Sequence, residues 1–258
     1  MAWYTYILLV LAGIAAGFVN ILAGNGSSIT LPALIFAGLP ANVANATNRV
    51  AIVLQNVVGT GSFYQQRRLD TRSALLLAIP TTLGSLLGAE LAAHTRPVVM
   101  QKVLAIALLL MLVLMFVDPK RWLQGRAGAG SRGLTPLRFV IFFAVGIYGG
   151  YIQAGVGIFL LVSLVLEAGF DVVRGNAVKI AIILAQSVAA LLVFQVNAQV
   201  DWPIGLLMGL GTMFGAWLAT RFAVDKGTVW VRRFIILVIV VSASAWLGLF
   251  DLVATLLA

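Results

Sequence analysis

The chain has 258 residues, 62% of them hydrophobic and only 10% charged, with a net charge of +9 and a mean hydropathy of +1.07. Soluble domains carry about 25% charged residues and interrupt their apolar positions at helix or strand period, so this composition excludes one. There is no cysteine and a single histidine, His94, which excludes disulfides, thiolate metal sites and paired-histidine metal motifs.

The elements predicted along the chain are apolar segments that read as helices of an integral membrane protein, since a span needs about 20 largely apolar residues. The ten-residue alternation of an outer-membrane barrel is not seen. Segments fall near 5–23, 27–40, 44–64, 73–93 and 99–117. The first could pass for a signal peptide at Ala12-Gly13-Ile14-Ala15-Ala16, but it lacks a basic n-region and belongs to a repeat, so it is read as a helix. A polar, glycine-rich, basic linker follows at 118–137, from Asp118-Pro119-Lys120-Arg121-Trp122 to Gly133-Leu134-Thr135-Pro136. Segments then resume near 138–154, 156–169, 175–195, 203–222 and 234–250. Residues 1–117 and 138–258 are thus two transmembrane repeats of about five segments each. The short second member of each set fits either a full crossing or a re-entrant segment.

The two halves match without a gap at a spacing of 131 residues. Ala23-Gly24-Asn25-Gly26 recurs as Ala154-Gly155-Val156-Gly157. Asn45, Ala46, Ile52 and Gln55 recur as Asn176, Ala177, Ile183 and Gln186, and Phe63, Asp70, Thr81 and Gly84 as Phe194, Asp201, Thr212 and Gly215. Loop charges add an orientation, because Lys and Arg accumulate in short cytoplasmic loops. Arg67, Arg68 and Arg72 fill one loop of the first half, whereas its counterpart from Gln195 to Trp202 has no cation. The loop at 94–102 has Arg96 and Lys102, and its counterpart at 221–233 has Arg221, Lys226, Arg232 and Arg233. Equivalent loops therefore face opposite sides, the repeats are inverted, the basic linker is cytoplasmic and both termini are external.

Glycine-broken segments at corresponding places in two halves point to a transporter's substrate site. Gly24, Asn25, Gly26, Ser27 and Ser28 would open a half-helix whose N–H groups and hydroxyls suit an anion; Gly155 and Gly157 mark the second break. For a single copy, close helix packing or a tight turn is the plainer reading. On the third segment, Asn45, Asn48, Arg49, Gln55 and Asn56 share one helical face, matched in the second half by Asn176, Lys179, Gln186 and Ser187. Cations inside a membrane mark ligand pathways, and Arg49 and Lys179 are also near enough to helix ends for the alternative of snorkelling. Gly13/Gly17, Gly84/Gly88 and Gly211/Gly215 read as helix contacts. Glu90 is a candidate proton-coupling group or, beside His94, an interfacial one. No nucleophile–base pair, paired-carboxylate signature or phosphate loop is found, so neither enzyme chemistry nor a cofactor or metal is expected.

Gly24 to Pro32, Leu39-Pro40, Ala46-Thr47-Asn48-Arg49, Gly146-Ile147-Tyr148-Gly149-Gly150-Tyr151 leading into Gly155-Val156-Gly157, Gly169-Phe170-Asp171, Asp201-Trp202 and the stretch Gly211 to Leu218 together resemble the sulfite exporter TauE/SafE-like membrane permeases. The resemblance implies export of small sulfur-containing anions, sulfite or organosulfonates, across a bacterial-type inner membrane. The family's first motif has glycines where Ser27 and Ser28 stand here, and the second copy departs further, so the half-sites are expected to be unequal. The expected partners are a small anion and the lipid bilayer, not nucleic acid, with homo-oligomerisation left open. Alternating access is expected from one repeat rocking against the other; the alternatives are an importer or channel for another small anion, or a non-transporting membrane-embedded enzyme or assembly subunit.

Overall fold

The computed structural model describes residues 3–116 and 133–222. Over those residues the regular structure is nine helices: α1 (Trp3–Ala23), α2 (Ser27–Phe36), α3 (Ala41–Gln65), α4 (Thr71–Ala93), α5 (Pro97–Phe116), α6 (Pro136–Tyr151), α7 (Val156–Leu166), α8 (Val172–Val196) and α9 (Trp202–Phe222). These match the expected segments within a few residues. Most of the linker and the expected segment at 234–250 lie outside the described residues. Helices α1, α4, α8 and α9 are long and apolar enough to cross a membrane. Helix α3 has 25 residues, as many as α8, but is too polar to qualify. Its Asn45, Asn48, Arg49, Gln55 and Asn56 are buried in protein instead of facing lipid.

Local chemistry sets the helix starts. The Asp70 side chain accepts from Ser73 N at the start of α4, and Asp201, its counterpart, accepts from Ile204 N at the start of α9. Asp171 caps α8 through Val173 N and Arg174 N, and Thr135 caps α6 ahead of Pro136. Such side chains satisfy amide groups that a helix leaves without partners in its first turn. Chain reversals repeat as well. The six described residues with left-handed backbone form three pairs at the 131-residue spacing: Gly24 (φ 72°) with Gly155 (74°), Gly38 (97°) with Gly169 (73°), and Arg67 (55°) with Ala198 (52°). The last pair keeps its conformation although the residue types differ, so the duplication is one of backbone shape.

Helix α2 turns back along α1, with Gly26 against Ala16 and Asn20, and Leu34 in one cluster with Leu9. Helix α7 turns back along α6, where the Phe159 ring meets Tyr148 edge-on at 5.1 Å and Leu160 and Leu164 join Phe142. With 10 and 11 residues, α2 and α7 are about 15–17 Å long, half of a hydrocarbon core of roughly 30 Å. Each turns back beside the helix before it, and neither is long enough to cross such a core as a helix by itself.

The halves interlock by exchanging helices. A Cβ on Gly13 or Gly17 of α1 would stand 2.6 and 2.1 Å from the carbonyl oxygens of Met208 and Thr212 on α9, and one on Gly215 would stand 2.0 Å from that of Ile14. On α4, Gly84 and Gly88 face the carbonyls of Phe143 and Ile147 at 2.1 and 2.0 Å, while Gly146 and Gly150 of α6 face those of Thr81 and Ser85 at 2.2 and 2.1 Å. The small-residue patterns are thus helix contacts, backbone against backbone, between the first helix of each half and the fourth of the other. Helix α9 also runs along α3, with Thr212 Oγ1 donating to the Ala51 carbonyl at 3.0 Å. Helix α4 runs along α8, with Ser85 Oγ donating to the Gln186 carbonyl at 2.9 Å. Two bundles result, α1–α2–α3–α9 and α6–α7–α8–α4. Between them α3 and α8 cross in opposite directions, Gly59 lying against Ile180 and Arg49 against Phe194.

Candidate functional site

The two glycine breaks touch. A Cβ on Gly157 would stand 2.7 Å from the Gly24 carbonyl oxygen, and one on Gly24 3.1 Å from the Gly157 backbone. Only residues without side chains can meet there, and Gly24 also needs its left-handed φ. The breaks lie where α3 and α8 cross, so the polar faces of those helices converge on them.

Each cation reaches the break of the opposite half. Arg49 of α3 is fully buried (0% exposed) and extends to the second break. It donates to the Gly149 carbonyl at 2.6 Å, to the Gly150 carbonyl at 2.8 Å and to Gln153 Oε1, while its guanidinium lies 5.6 Å from the centre of the Phe194 ring. Lys179 of α8 is 1% exposed and extends to the first break, its Nζ 3.3 Å from where a Gly24 Cβ would stand. Two asparagines follow the same crossing. Asn45 donates to the Tyr151 carbonyl at 2.9 Å, and Asn176, its counterpart, to the Ile21 carbonyl at 3.2 Å. Both side chains end inside the protein instead of snorkelling outward.

Other expected site residues bind one another. Asn20 Oδ1 accepts from Gly26 N at 3.2 Å and Asn25 Oδ1 accepts from Ser28 Oγ at 2.6 Å, which holds the turn into α2. Asn48 accepts from Thr30 Oγ1 at 2.6 Å and donates to Ser27 Oγ at 3.3 Å, tying α2 to α3. Gly155 packs against Met111 of α5, whose Sδ would stand 1.8 Å from a Cβ there. Gln186 lies against Gly149, the residue whose carbonyl holds Arg49. Sequence reasoning missed Gln153, Thr30 and Tyr148, whose hydroxyl donates to the Ala154 carbonyl at 2.7 Å. For Gln153 the available signal was a lone amide beside the second break.

Much of the buried polarity here has no protein partner among the described residues. The unpartnered atoms include Asn25 Nδ2, Asn45 Oδ1, Arg49 Nε, Gln55 Nε2, Asn56 Oδ1, Asn176 Oδ1, Ser187 Oγ and both amide atoms of Gln186. An orphaned buried donor or acceptor costs about 1–3 kcal/mol, so these atoms make the buried faces of α3 and α8 the candidate ligand site. The two ion pairs among the described residues, Glu90–His94 and Arg174–Asp171, are exposed at helix ends and do not touch it. No group of potential metal ligands occurs among the described residues.

Broken helices meeting inside a helical membrane protein, with buried cations and unpartnered amides around the breaks, define a membrane transporter. The chain belongs to the sulfite exporter TauE/SafE family, whose model matches residues 9–245. It is 30% identical over 249 residues to a probable membrane transporter protein (ORF9) of Sinorhizobium sp., covering 94% of this chain and 92% of that one. It is 28% identical over 232 residues to the probable membrane transporter protein YfcA of Escherichia coli K12, covering 89% and 84%. No solved structure matches significantly.

Proposed function

We propose that this transporter exports small sulfur-containing anions, of the sulfite or organosulfonate class, by alternating access at the meeting point of the two breaks. The carrying observation is the pair of fully buried cations, one from each half, with no carboxylate beside either among the described residues. Unpaired buried charge is strongly destabilising, and a bound anion compensates it. Gly24, Asn25, Gly26, Ser27 and Ser28 form one wall of the proposed site and Gly155 and Gly157 the other. Asn45, Asn48, Gln55, Asn176 and Gln186 orient the ligand or hold the wall.

The opposite course of α3 and α8, which are equivalent helices, supports inverted repeats. Arg67, Arg68, Arg72, Arg138, Arg174 and Arg221 gather at one end of the helices and Arg96 and Lys102 at the other. That bias favours the richer end, and with it the linker, as cytoplasmic in an inner membrane, with both termini external. Because each half lends its fourth helix to the other, the rocking bodies in this proposal are the two exchanged bundles and not the two repeats.

An inside-negative potential supplies about 2.3 kcal/mol per charge per 100 mV to a departing anion, enough for roughly fiftyfold outward accumulation of a monoanion. No coupling ion is needed. The test is flux into proteoliposomes under a potassium-set potential, with sulfite, sulfate, thiosulfate, sulfoacetate and simple carboxylates. Flux of sulfite or sulfoacetate above the carboxylates, lost in Arg49→Ala and Lys179→Met, is the expected result. Equal flux of carboxylates, or no flux of any anion, refutes the proposal.

A further inference from the structure

The two buried cations stand on equivalent helices but one residue out of register, Lys179 matching Asn48, and they differ in bonding, which divides the site. Arg49 uses its two terminal nitrogens on two carbonyls in the last turn of α6 and on Gln153 at the second break. Its terminal nitrogens are occupied in holding α6 to α3, and only Nε is left without a partner among the described residues. Lys179 Nζ makes no hydrogen bond or ion pair among the described residues, although the side chain is 1% exposed. It points at Gly24, and the next residue along the chain is Asn25. The Asn25 amide has its orientation set by the 2.6 Å bond from Ser28 Oγ to Oδ1, which leaves Nδ2 as an unpartnered buried donor. The first break thus offers unsatisfied donors, three N–H on the lysine and two on the amide. Its counterpart at the second break is a set of acceptors already filled by an arginine.

Resting on the reading under Proposed function, we infer that the anion binds at the first break, on Lys179 Nζ and Asn25 Nδ2, and that Arg49 is a positioning residue that latches the second break. A ligand facing only donors is an acceptor-only oxyanion with several oxygens on one centre, such as sulfite or a sulfonate head. Carboxylates, with two oxygens, satisfy fewer of these donors. The serines at 27 and 28 act on this subsite indirectly: Ser28 fixes the Asn25 amide by donating to its Oδ1, and Ser27 anchors Asn48.

Thermal stability and anion binding of the full chain in detergent separate the two roles. Removing an unpartnered buried charge stabilises the empty protein, whereas removing a latch orphans its acceptors. Lys179→Met should therefore raise the Tm without anion, and Arg49→Met should lower it. Sulfite should raise the wild-type Tm by mass action, and this shift should vanish in Lys179→Met and shrink in Asn25→Ala. In proteoliposomes, Arg49→Lys should keep a KM for sulfite within about threefold and lose turnover, while Lys179→Met should raise KM by roughly tenfold or more, the worth of one hydrogen bond to a charged group. A lower Tm for Lys179→Met with its sulfite shift intact overturns the assignment, as does a KM effect at Arg49 as large as that at Lys179. If wild-type protein binds none of the anions, the anion-site reading itself fails and this assignment with it.

Discussion

Gly24→Ala against Gly38→Ala is the most discriminating perturbation of the break, because both glycines have positive φ and only one is in contact. At Gly38 (φ 97°) a Cβ would meet nothing within 4 Å. Alanine there costs about 1–2 kcal/mol of left-handed strain, partly offset by about 0.4–1 kcal/mol from a less flexible unfolded chain. At Gly24 (φ 72°) the same Cβ stands 3.1 Å from the Gly157 backbone and 3.3 Å from Lys179 Nζ. The break must yield by a few tenths of an ångström, and overpacking of this kind adds about 1–3 kcal/mol. A difference near 2 kcal/mol corresponds to a melting temperature about 4–8 °C lower for Gly24→Ala than for Gly38→Ala. Flux should also fall in Gly24→Ala, because the methyl group displaces the lysine, and persist in Gly38→Ala. Differential scanning fluorimetry on purified protein and sulfite flux in proteoliposomes give both readouts. Equal melting temperatures and equal flux for the two variants would show that the contact between the breaks has no energetic or functional weight.

Gly88→Ala on α4 and Gly215→Ala on α9 each drive a Cβ to 2.0 Å from a carbonyl oxygen of the partner helix. Both should destabilise by about 3 kcal/mol or more, measured as a fall in Tm, whereas Gly61→Ala on α3, with open space around it, should gain up to about 1 kcal/mol. Asn48→Ala removes an acceptor for Thr30 and a donor to Ser27; a loss of about 2–3 kcal/mol is expected in the same assay. The chain has no cysteine, so single cysteines at Arg67 and Ala198, both exposed and equivalent, report the orientation cleanly. A membrane-impermeant maleimide added to intact cells should label the cysteine at 198 and spare that at 67, and labelling of both from outside would sink the inverted arrangement.

Much of this architecture was legible because a bilayer removes choices. Helix was the only way to satisfy the backbone of such apolar segments, and glycines 24, 26, 155 and 157 punctuated them at corresponding places. The pairs Asn45/Asn176 and Arg49/Lys179 were visible as polar residues on otherwise apolar helices. What could not be read is where their side chains end. Nothing local to α3 says that Arg49 reaches Gly149 and Gly150, about 100 residues away. The roles of Ser27, Ser28 and Asn48 were likewise hidden, because a hydroxyl beside a break serves a ligand or a neighbouring amide equally well. Gln153 escaped because a lone amide in an irregular stretch has no periodicity to mark it. The exchanged pairing of first and fourth helices left only the small-residue patterns as its trace, and these name no partner.

That exchange has a consequence for synthesis. When α1 and α3 have emerged from the ribosome, the helix that packs on both, α9, has not yet been made, whereas α6 finds its partner α4 already in place. The first half must therefore persist in lipid with Arg49 unmatched until the end of α6 is made, and with Gly13 and Gly17 unmatched until α9 is. Until then its native contacts are those within the half, among them the turn of α2 along α1, the Asn48 anchor between α2 and α3, and Ile21 of α1 against Gly59 of α3. Separately translated halves, cut at the linker, should consequently be degraded alone and rescue each other when made together.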